Sequence, residues 1–427
     1  MRHGLGGRAV LGDGVSRSRW TDLVWVDLLG RPRVVRVPSE TAAARTGLDV
    51  PKHQVLAGYD NGAEPSGLLR LIPDPSTERR VAWDPDRSIV IGDLQEEDGS
   101  PSPLCARSTL RRVLQSAGQI GYQVLAAAEL EFFLLTPETG EPIYSDIQQY
   151  SIIKGTELEP VLGAVRNDLR QMDIPIEASN PEYSGGQVEV NIEYGPALAA
   201  ADRATLMRSL VRVLARKAGM DVTFMAKPWT DEAGNGMHVH QSLWREGRNA
   251  FSEDGGLSQL ARQYAAGLLS RIREYALLGS PTPNAYHRRS DHTFAPTRVC
   301  WGEDNRTLAV RAITNRPNST RLEQRDAAAD CNVYLALAGQ IAAGLEGVRE
   351  RREPPPPATG DAYVREDLPE LPRTFVNAYE LLDGSEAARV GLGRDTIGAY
   401  LGVLGREREV VLRTAPEWER ARYLSSV

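Results

Sequence analysis

Four short runs of the sequence alternate polar with apolar side chains, and each carries ionisable or amide groups on its polar face. The runs are 128–133 (Ala-Glu-Leu-Glu-Phe-Phe), 186–193 (Gly-Gln-Val-Glu-Val-Asn-Ile-Glu), 236–242 (Gly-Met-His-Val-His-Gln-Ser) and 320–325 (Thr-Arg-Leu-Glu-Gln-Arg). A β-strand has a side-chain period of two, so the polar residues of each run share one face. The pattern predicts a sheet with an extended polar surface.

The acidic and imidazole groups on these faces predict a metal site. Glu129 and Glu131 lie in a run that is apolar on both sides, and buried carboxylates need protons, cations or metal ions as compensation. Oxygen ligands with an imidazole suit Mg²⁺ or Mn²⁺ better than zinc. A single alternating strand more often turns its polar face to water. The fourfold recurrence, with His238 and His240 among only six histidines, favours the metal interpretation.

Arginines form a second set of candidate functional residues. The set consists of Arg288, Arg306, Arg311 and Arg325. Guanidinium groups bind carboxylates and phosphates bidentately, although each of these arginines taken alone also fits a solvated surface residue. The chain has no Walker A motif and no glycine-rich loop in a dinucleotide-binding context. Any nucleotide would therefore be held by metal ions and arginines.

Composition and length exclude several classes of protein. A chain of 427 residues exceeds the usual single-core domain, so two domains are predicted. Fifty basic against 57 acidic residues give a net charge of −7, which argues against a nucleic-acid partner. Three widely spaced cysteines predict neither a disulfide framework nor a thiolate zinc site. The absence of a signal-peptide segment and of any run of 18 apolar residues predicts a cytoplasmic protein without a membrane partner.

The sequence divides into a small N-terminal part and a larger second part. Residues 22–38 read as a β-hairpin around a Gly-Arg-Pro turn, and further strand-like pieces continue to about Leu94. We therefore place an N-terminal domain at 1–103 and a second domain at 104–427. The helical patterns of the second domain fall at 109–117, 198–218, 257–278, 326–348 and 395–413.

Several segments of the chain resemble motifs of the glutamine synthetase family. They are 128–133, 182–189 (Glu-Tyr-Ser-Gly-Gly-Gln-Val-Glu), 227–228 (Lys-Pro), 234–243 (Gly-Asn-Gly-Met-His-Val-His-Gln-Ser-Leu), 284–288 (Asn-Ala-Tyr-His-Arg), 304–307 (Asp-Asn-Arg-Thr) and 321–326. They occur in family order and cover most of residues 125–335. The resemblance implies an α+β fold with a small N-terminal β-grasp domain and a large catalytic α/β domain, whose antiparallel strands line a funnel. It also implies homo-oligomers, commonly two stacked hexameric rings, with each active site between neighbouring subunits.

The resemblance also implies a role for each matching residue. Two metal ions are implied, one held near the amino-acid substrate by Glu131, Glu182 and Glu189, the other near the nucleotide phosphates by Glu129, His238 and Glu323. The remaining implied positions are His240 and Ser242 near the nucleotide, Gly234 in the glutamate-binding loop, Arg288 and Arg325 on glutamate or the phosphates, and Arg306 and Arg311 on the phosphates. The implied cofactors are ATP and two or three Mg²⁺ (or Mn²⁺) ions per site. In the implied reaction ATP phosphorylates the γ-carboxylate of glutamate, and an amine then displaces phosphate.

The sequence departs from the family at the position that handles the amine. Glutamine synthetases typically carry Pro-Gly-Tyr-Glu-Ala-Pro there, with a glutamate that binds and deprotonates ammonium, whereas this chain has Phe294. An aromatic ring cannot accept the proton, but it can pack on an alkyl chain or offer a cation–π face. We therefore predict an organic primary amine as acceptor (a polyamine, ethanolamine or another monoamine), as in the γ-glutamylamide synthetases. Asp60 is a candidate for the ammonium-binding aspartate, and Asp291 or His292 for a replacement base.

Other interpretations of the sequence remain open. One is an ordinary glutamine synthetase that uses ammonium, with Phe294 only packing inside a lid. Another is a catalytically inactive relative that serves as a regulatory oligomer, although all six implied metal positions hold Glu or His. A third is a guanidino-kinase-type phosphotransferase, which the motif at 234–243 argues against.

Overall fold

The computed structural model describes residues 18–56, 67–290, 293–314 and 316–425. Three residues proposed for the acceptor side, Asp60, Asp291 and His292, lie outside the described residues. The described chain contains two main sheets, a small N-terminal one and a larger one that is backed by helices. No helix in these ranges is long and apolar enough to cross a membrane.

The strands of the N-terminal sheet precede residue 96. They are β1 (Trp20–Val26), β2 (Pro32–Pro38), β3 (Leu48–Pro51), β4 (Leu68–Pro73), β5 (Arg79–Val81) and β6 (Asp84–Gln95). The remaining strands are β7 (Gln123–Leu135), β8 (Ile176–Pro181), β9 (Gln187–Ile192), β10 (Gly195–Pro196), β11 (Asp221–Thr223), β12 (Met237–Arg245), β13 (Arg248–Asn249), β14 (Ser252–Glu253), β15 (Gly256–Leu257), β16 (Trp301–Glu303), β17 (Val310–Ile313) and β18 (Arg321–Gln324).

The longer helices belong to the second part of the chain. In chain order the helices are α1 (Ala42–Thr46), α2 (Lys52–Val55), α3 (Ala106–Gln119), α4 (Ile152–Glu157), α5 (Glu159–Gln171), α6 (Ala197–Lys217), α7 (Gln259–Arg271), α8 (Ala276–Gly279), α9 (Val333–Arg349), α10 (Phe375–Asp383), α11 (Glu386–Leu392), α12 (Arg394–Arg413) and α13 (Glu417–Tyr423). Helix α9 is almost wholly buried, and α3, α6 and α7 pack against it.

The N-terminal sheet has the strand order β2-β1-β6-β4-β3, with β1 antiparallel to β2 and parallel to β6. The predicted hairpin is therefore present. Strand β1 is buried on both faces because Leu23 and Trp25 point into a core of the small sheet, while Val24 and Val26 join the main core. The expected α+β fold with a small N-terminal sheet domain is confirmed.

Buried polar contacts join the two parts of the chain. The guanidinium of Arg107 on α3 donates to Asp74 and Asp93 of the N-terminal part and to Asp202 on α6. Asn332, at the start of α9, donates to the backbone carbonyls of Asp27 and Leu28, which follow β1. The boundary at 103/104 falls between β6 and α3 and stays a prediction.

Two helices differ from the sequence-based expectation. The pattern at 257–278 is interrupted, because α7 ends at Arg271 and α8 begins at Ala276. The pattern at 326–348 predicted a helix too long at its start. Asn332 caps α9 by accepting hydrogen bonds from the backbone N–H groups of Tyr334 and Leu335, so the helix begins at Val333.

Candidate active site

The strand register brings the predicted polar faces onto one continuous surface. In the large sheet β7 lies between β12 and β9, and β18 pairs with the other edge of β12. Glu129 is opposite His238 on one side, and Glu131 is opposite Glu189 on the other. Glu323 is opposite His240. Directly opposed residues have Cβ atoms about 5 Å apart, so these pairs meet side by side.

Two adjoining cavities are lined by all the described residues to which the family resemblance assigned a role, together with Phe294. The larger, of about 630 Å³, is lined by Glu129, Glu131, Glu182, Glu189, Gly234, His238, Arg288, Phe294, Arg306, Arg311, Glu323 and Arg325, among others. The smaller, of about 370 Å³, is lined by His240 and Ser242. Glu129 and Asn191 line both cavities and so stand at their junction. The structure therefore brings these residues together around two adjoining cavities, while the role of each residue stays a prediction.

Two of the clustered carboxylates are electrostatically uncompensated. Burial, together with the charges of Glu129, Glu131 and Glu182, raises the pKa of Glu189 to about 9. Burial and the nearby Glu131 also raise the pKa of Glu182. Such shifts arise where carboxylates crowd together in a region of low polarity, and a bound cation relieves them. The donor set of this part of the cavity therefore fits divalent metal ions.

The carboxylates nearer the imidazole and guanidinium groups behave in the opposite way. Burial alone would raise the pKa of Glu129, but the neighbouring His240 and His238 outweigh it and hold that pKa well below its usual range. Burial is likewise outweighed at Glu323, where Arg325 and the two histidines lower the pKa to about 2. Part of the cluster is therefore compensated by the protein itself.

The hydrogen bonds of His240 fix its tautomer. The Nε–H of Arg321 donates to Nδ1 of His240 over 2.9 Å, so Nδ1 carries no proton. The proton is therefore on Nε2, which lies 2.7 Å from Oε1 of Glu129 and donates to it. Ligand atoms of Glu129, His240 and Glu323 lie within 4.8 Å of one another, as do those of Glu129, Glu189 and His238. Because both nitrogens of His240 are engaged, the group containing His238 fits a metal better.

The arginines supply positive charge and unused donors. Arg288 and Arg325 are both buried, and the Nε–H of each has no partner among the described residues. Arg325 is paired with Glu323, and Arg311 donates to the other oxygen of Glu323 over 3.0 Å. Unpaired buried N–H groups are costly unless a ligand accepts from them. The two buried guanidinium groups line the larger cavity and are therefore suited to an anionic substrate.

Gly236 permits the close approach of these charged groups. A Cβ on Gly236 would lie 2.8 Å from Nη2 of Arg288, 3.1 Å from Nε2 of His238 and 3.2 Å from Oε2 of Glu131. The backbone N–H of Gly236 donates to that same carboxylate oxygen over 2.6 Å. Any larger residue would therefore displace groups of the site.

Aromatic side chains lie at the mouth of the larger cavity. Phe294 packs on Tyr183 with ring centroids 5.2 Å apart, and Tyr150 lines the same cavity, where it raises the pKa of Arg306. Phe294 and Tyr150 have positive φ angles of 64° and 55°. Non-glycine residues rarely adopt this conformation, and such residues cluster at functional sites.

Several lining residues were not selected from the sequence. Gln187 and Asn191 share the face of Glu189 at a spacing of two, so periodicity could have found them. Arg321 lies on the face of Glu323 by the same rule. Gln149, Tyr150 and Tyr183 lie in loops without periodicity, and no local signal indicates that they reach the cavity.

Comparison with known proteins places these features in a family. A sequence profile of the glutamine synthetase catalytic domain matches residues 103–423. The chain is 35% identical to the gamma-glutamylethanolamide synthetase of Streptomyces coelicolor, over 86% of this chain and 80% of that protein. It is 34% identical to a glutamate–isopropylamine ligase of a Pseudomonas species, over 89% of this chain and 87% of that protein. The solved ADP complex of GmaS has a TM-score of 0.87 at 27% identity, covering 95% of this chain and 97% of that one.

These matches confirm the resemblance and the type of enzyme that it implies. Glutamine synthetase-type enzymes are ATP-dependent carbon–nitrogen ligases that use divalent metal ions, and the carboxylate–imidazole groups of this chain could bind such ions. The chain belongs to the glutamine synthetase family.

Proposed function

We propose that this protein joins the γ-carboxylate of glutamate to an organic primary amine, giving a γ-glutamylamide, ADP and phosphate. The observation that carries the proposal is the ring of Phe294 at the cavity mouth, where ammonium-using relatives are expected to have a glutamate. An aromatic ring offers no carboxylate to bind ammonium or to take its proton. The similarity to two enzymes, one named for a glutamylethanolamide product and one for an isopropylamine substrate, supports the same conclusion.

The first step uses the buried cationic side chains. A γ-carboxylate oxygen of glutamate attacks the terminal phosphorus of ATP, and ADP leaves with the electron pair of the broken bond. We assign Arg288, Arg325 and the loop at Gly234 to glutamate, and Arg306 and Arg311 to the phosphates. Two of these arginines, Arg288 and Arg325, line the cavity and each keeps a buried Nε–H without a partner among the described residues, which supports these roles.

Metal ions and nucleotide are assigned to the remaining polar residues. Glu131, Glu182 and Glu189 would hold one Mg²⁺ (or Mn²⁺) ion, and Glu129, His238 and Glu323 another, with two or three ions per site. When bound, such ions neutralise the phosphate charge that would otherwise repel the glutamate carboxylate. His240 and Ser242 line the smaller cavity, which we assign to the nucleotide together with Arg311.

In the second step the amine nitrogen attacks the acyl carbon of γ-glutamyl phosphate, and phosphate leaves. The amine must lose a proton, and Phe294 cannot accept it. Asp291 and His292 stay candidates for this task. The acyl phosphate must also be kept from water, so we expect the loop that carries Phe294 to cover it during turnover.

We extend the proposal to assembly and compartment. We propose a cytoplasmic homo-oligomer of two stacked hexameric rings with active sites between subunits, and no nucleic-acid or membrane partner. Twelve chains of 46.8 kDa would have a mass of about 560 kDa. Size-exclusion chromatography with light scattering tests this directly, and a monomeric active enzyme would contradict it.

The acceptor is tested by assaying the purified protein with ATP, Mg²⁺ and glutamate. Phosphate release and amide product are measured with ammonium, ethanolamine, putrescine, spermidine and short alkylamines. We expect at least one organic amine to exceed ammonium in kcat/KM by more than tenfold. Equal or better use of ammonium would favour an ordinary glutamine synthetase. No turnover in protein that binds ATP and metal would favour the inactive regulatory oligomer.

A matched variant tests the part played by Phe294. The substitution Phe294→Glu places a carboxylate at the cavity mouth, so we expect ammonium use to rise and organic amine use to fall. Phe294→Leu keeps an apolar side chain and serves as the control. If both variants change the two acceptors in the same proportion, Phe294 does not decide between them.

A further inference from the structure

The aromatic pair at the cavity mouth leaves apolar surface open to solvent. Tyr183 is 39% exposed and Phe294 is 52% exposed, although their rings pack on each other at 5.2 Å with an angle of 58° between planes. The two tilted rings form a corner that opens into the larger cavity. Apolar area of this kind gains free energy when a ligand covers it.

The corner adjoins the carboxylates assigned to metal binding. Tyr183 directly follows Glu182, and its backbone N–H donates to Oε2 of Glu182 over 3.2 Å. Amide groups of Asn180 and Gln149 also donate to that carboxylate, over 3.0 and 3.1 Å. The carboxylate is therefore held by neutral donors, one of which is the backbone of Tyr183. A group resting in the corner lies at the edge of the reaction centre.

The charges around the corner are unfavourable for a second ammonium group. Arg306 and Tyr150 line the same cavity as the two rings. Among the described lining residues, Asp361 is the one acid outside the carboxylates assigned to metal ions. One of its oxygens accepts a hydrogen bond from the backbone N–H of Tyr363. Among the described residues, a cationic tail would therefore meet aromatic rings, a guanidinium and one carboxylate that already accepts a hydrogen bond.

We propose that Tyr183 and Phe294 together bind the substituent of the acceptor amine and select short, uncharged alkyl substituents over diamines and polyamines. This inference rests on the proposed glutamate–amine ligase function. It adds Tyr183 as a specificity-determining residue and narrows the class of amine. Tyr183 acts on the substituent only and takes no part in the transfer of phosphate.

The size of the effect follows from the half-open corner. A fully buried methylene raises an equilibrium constant about fourfold, and contact on one side provides about half of that free energy. We therefore expect kcat/KM to rise about twofold per methylene from methylamine to butylamine. We also expect butylamine to exceed 1,4-diaminobutane, which has the same carbon chain and a second charge, by about tenfold or more.

The test measures kcat/KM for these five amines at saturating ATP and glutamate, in the wild type and three variants. Tyr183→Ala should flatten the alkylamine series with the KM for glutamate unchanged, and Tyr183→Phe should restore the slope. Ile152→Ala is the control, since Ile152 is 84% exposed and does not line the cavity. A slope that survives in Tyr183→Ala, or equal use of butylamine and 1,4-diaminobutane, would overturn the inference.

The outcomes separate this inference from the function on which it rests. Amide formation with organic amines but a flat series leaves the ligase function intact and refutes only the role of the aromatic corner. Preference for ammonium over every organic amine refutes the function itself. If Tyr183→Ala does not fold, the comparison of butylamine with 1,4-diaminobutane in the wild type decides by itself.

Discussion

The buried guanidinium of Arg107 links the two parts of the fold, and its removal should cost more stability than that of any nearby surface arginine. Its side chain is 3% exposed and donates to Asp74, Asp93 and Asp202 over 2.8 to 3.0 Å. The side chain of Asp202 is also 3% exposed and accepts a further bond from Tyr334 over 2.7 Å. Loss of Arg107 would leave Asp202 as a buried charge with one neutral donor.

The magnitude follows from the burial of the three partners. Breaking a buried pair typically costs about 3–5 kcal/mol because one charge is left uncompensated. Asp74 and Asp93 contribute little to this cost, since their side chains are 20% and 22% exposed and both also contact Arg111. We therefore expect Arg107→Met to lower the free energy of unfolding by about 3 kcal/mol or more.

Arg111→Met is the matched control. Arg111 pairs with the same two aspartates, but its side chain is 39% exposed, so its loss should cost less than about 1 kcal/mol. The double variant Arg107→Met, Asp202→Asn removes both buried charges and keeps an acceptor for Tyr334, so it should recover more than half of the loss. Urea unfolding followed by circular dichroism, at one protein concentration, measures all three. The reasoning is refuted if Arg107→Met costs no more than Arg111→Met.

Three further predictions follow from the same structure. Burial opposes ionisation of Asp74, but hydrogen bonds from Ser76 and Arg107 lower its pKa from 3.8 to about 2. The ionised carboxylate therefore contributes at most about 2 kcal/mol to the free energy of unfolding above pH 4, and this contribution is lost as the pH falls to 2. The stability of Asp74→Asn, measured by unfolding at a series of acid pH values, should depend less on pH than that of the wild type. Because its raised pKa keeps Glu189 protonated at neutral pH, Glu189→Gln should change the stability of EDTA-treated protein by less than about 0.5 kcal/mol, yet remove most of the thermal stabilisation by Mg²⁺. A Cβ on Gly347 would come closer than 3.0 Å to backbone atoms of α7, whereas a Cβ on Gly118 would face open space. Thermal unfolding should therefore show that Gly347→Ala lowers the free energy of unfolding by about 1–3 kcal/mol and that Gly118→Ala raises it by about 0.5–1 kcal/mol.

The candidate site was largely predictable because its residues lie on strands with period two. Glu129, Glu131, Glu189 and Glu323 could be assigned to shared faces from their spacing alone. The register that sets Glu129 opposite His238 joins strands more than a hundred residues apart. That pairing depends on the whole sheet, so local sequence does not determine it, and the fourfold recurrence of the pattern and the family resemblance were what indicated that the four runs converge.

The loop residues at the cavity mouth were less predictable for a physical reason. Tyr183 and Gln149 reach the cavity because their loops fold over the sheet, and a loop has no repeating geometry from which direction can be inferred. The start of helix α9 was also hard to predict, because Ala327, Ala328 and Ala329, which precede it, favour helix by composition but form a loop. The carbonyl of Ala327 accepts a hydrogen bond from Arg288, and the backbone N–H of Ala328 donates to the carbonyl of Gly279. Tertiary hydrogen bonds there override propensity.

The net charge of the chain does not describe the local charge in the candidate site. A net charge of −7 would disfavour anionic substrates if it were spread evenly. Glu129 and Glu323 are already compensated by histidines and arginines, as their lowered pKa values show. Glu182 and Glu189 are not, because burial and like charges raise their pKa values. A divalent cation therefore gains most on the side of Glu182 and Glu189, next to the aromatic corner. Once it is bound there, it offsets the charge of these acidic residues and provides a positive centre for the anionic groups of the proposed substrates, so the acidic surplus helps to recruit anions.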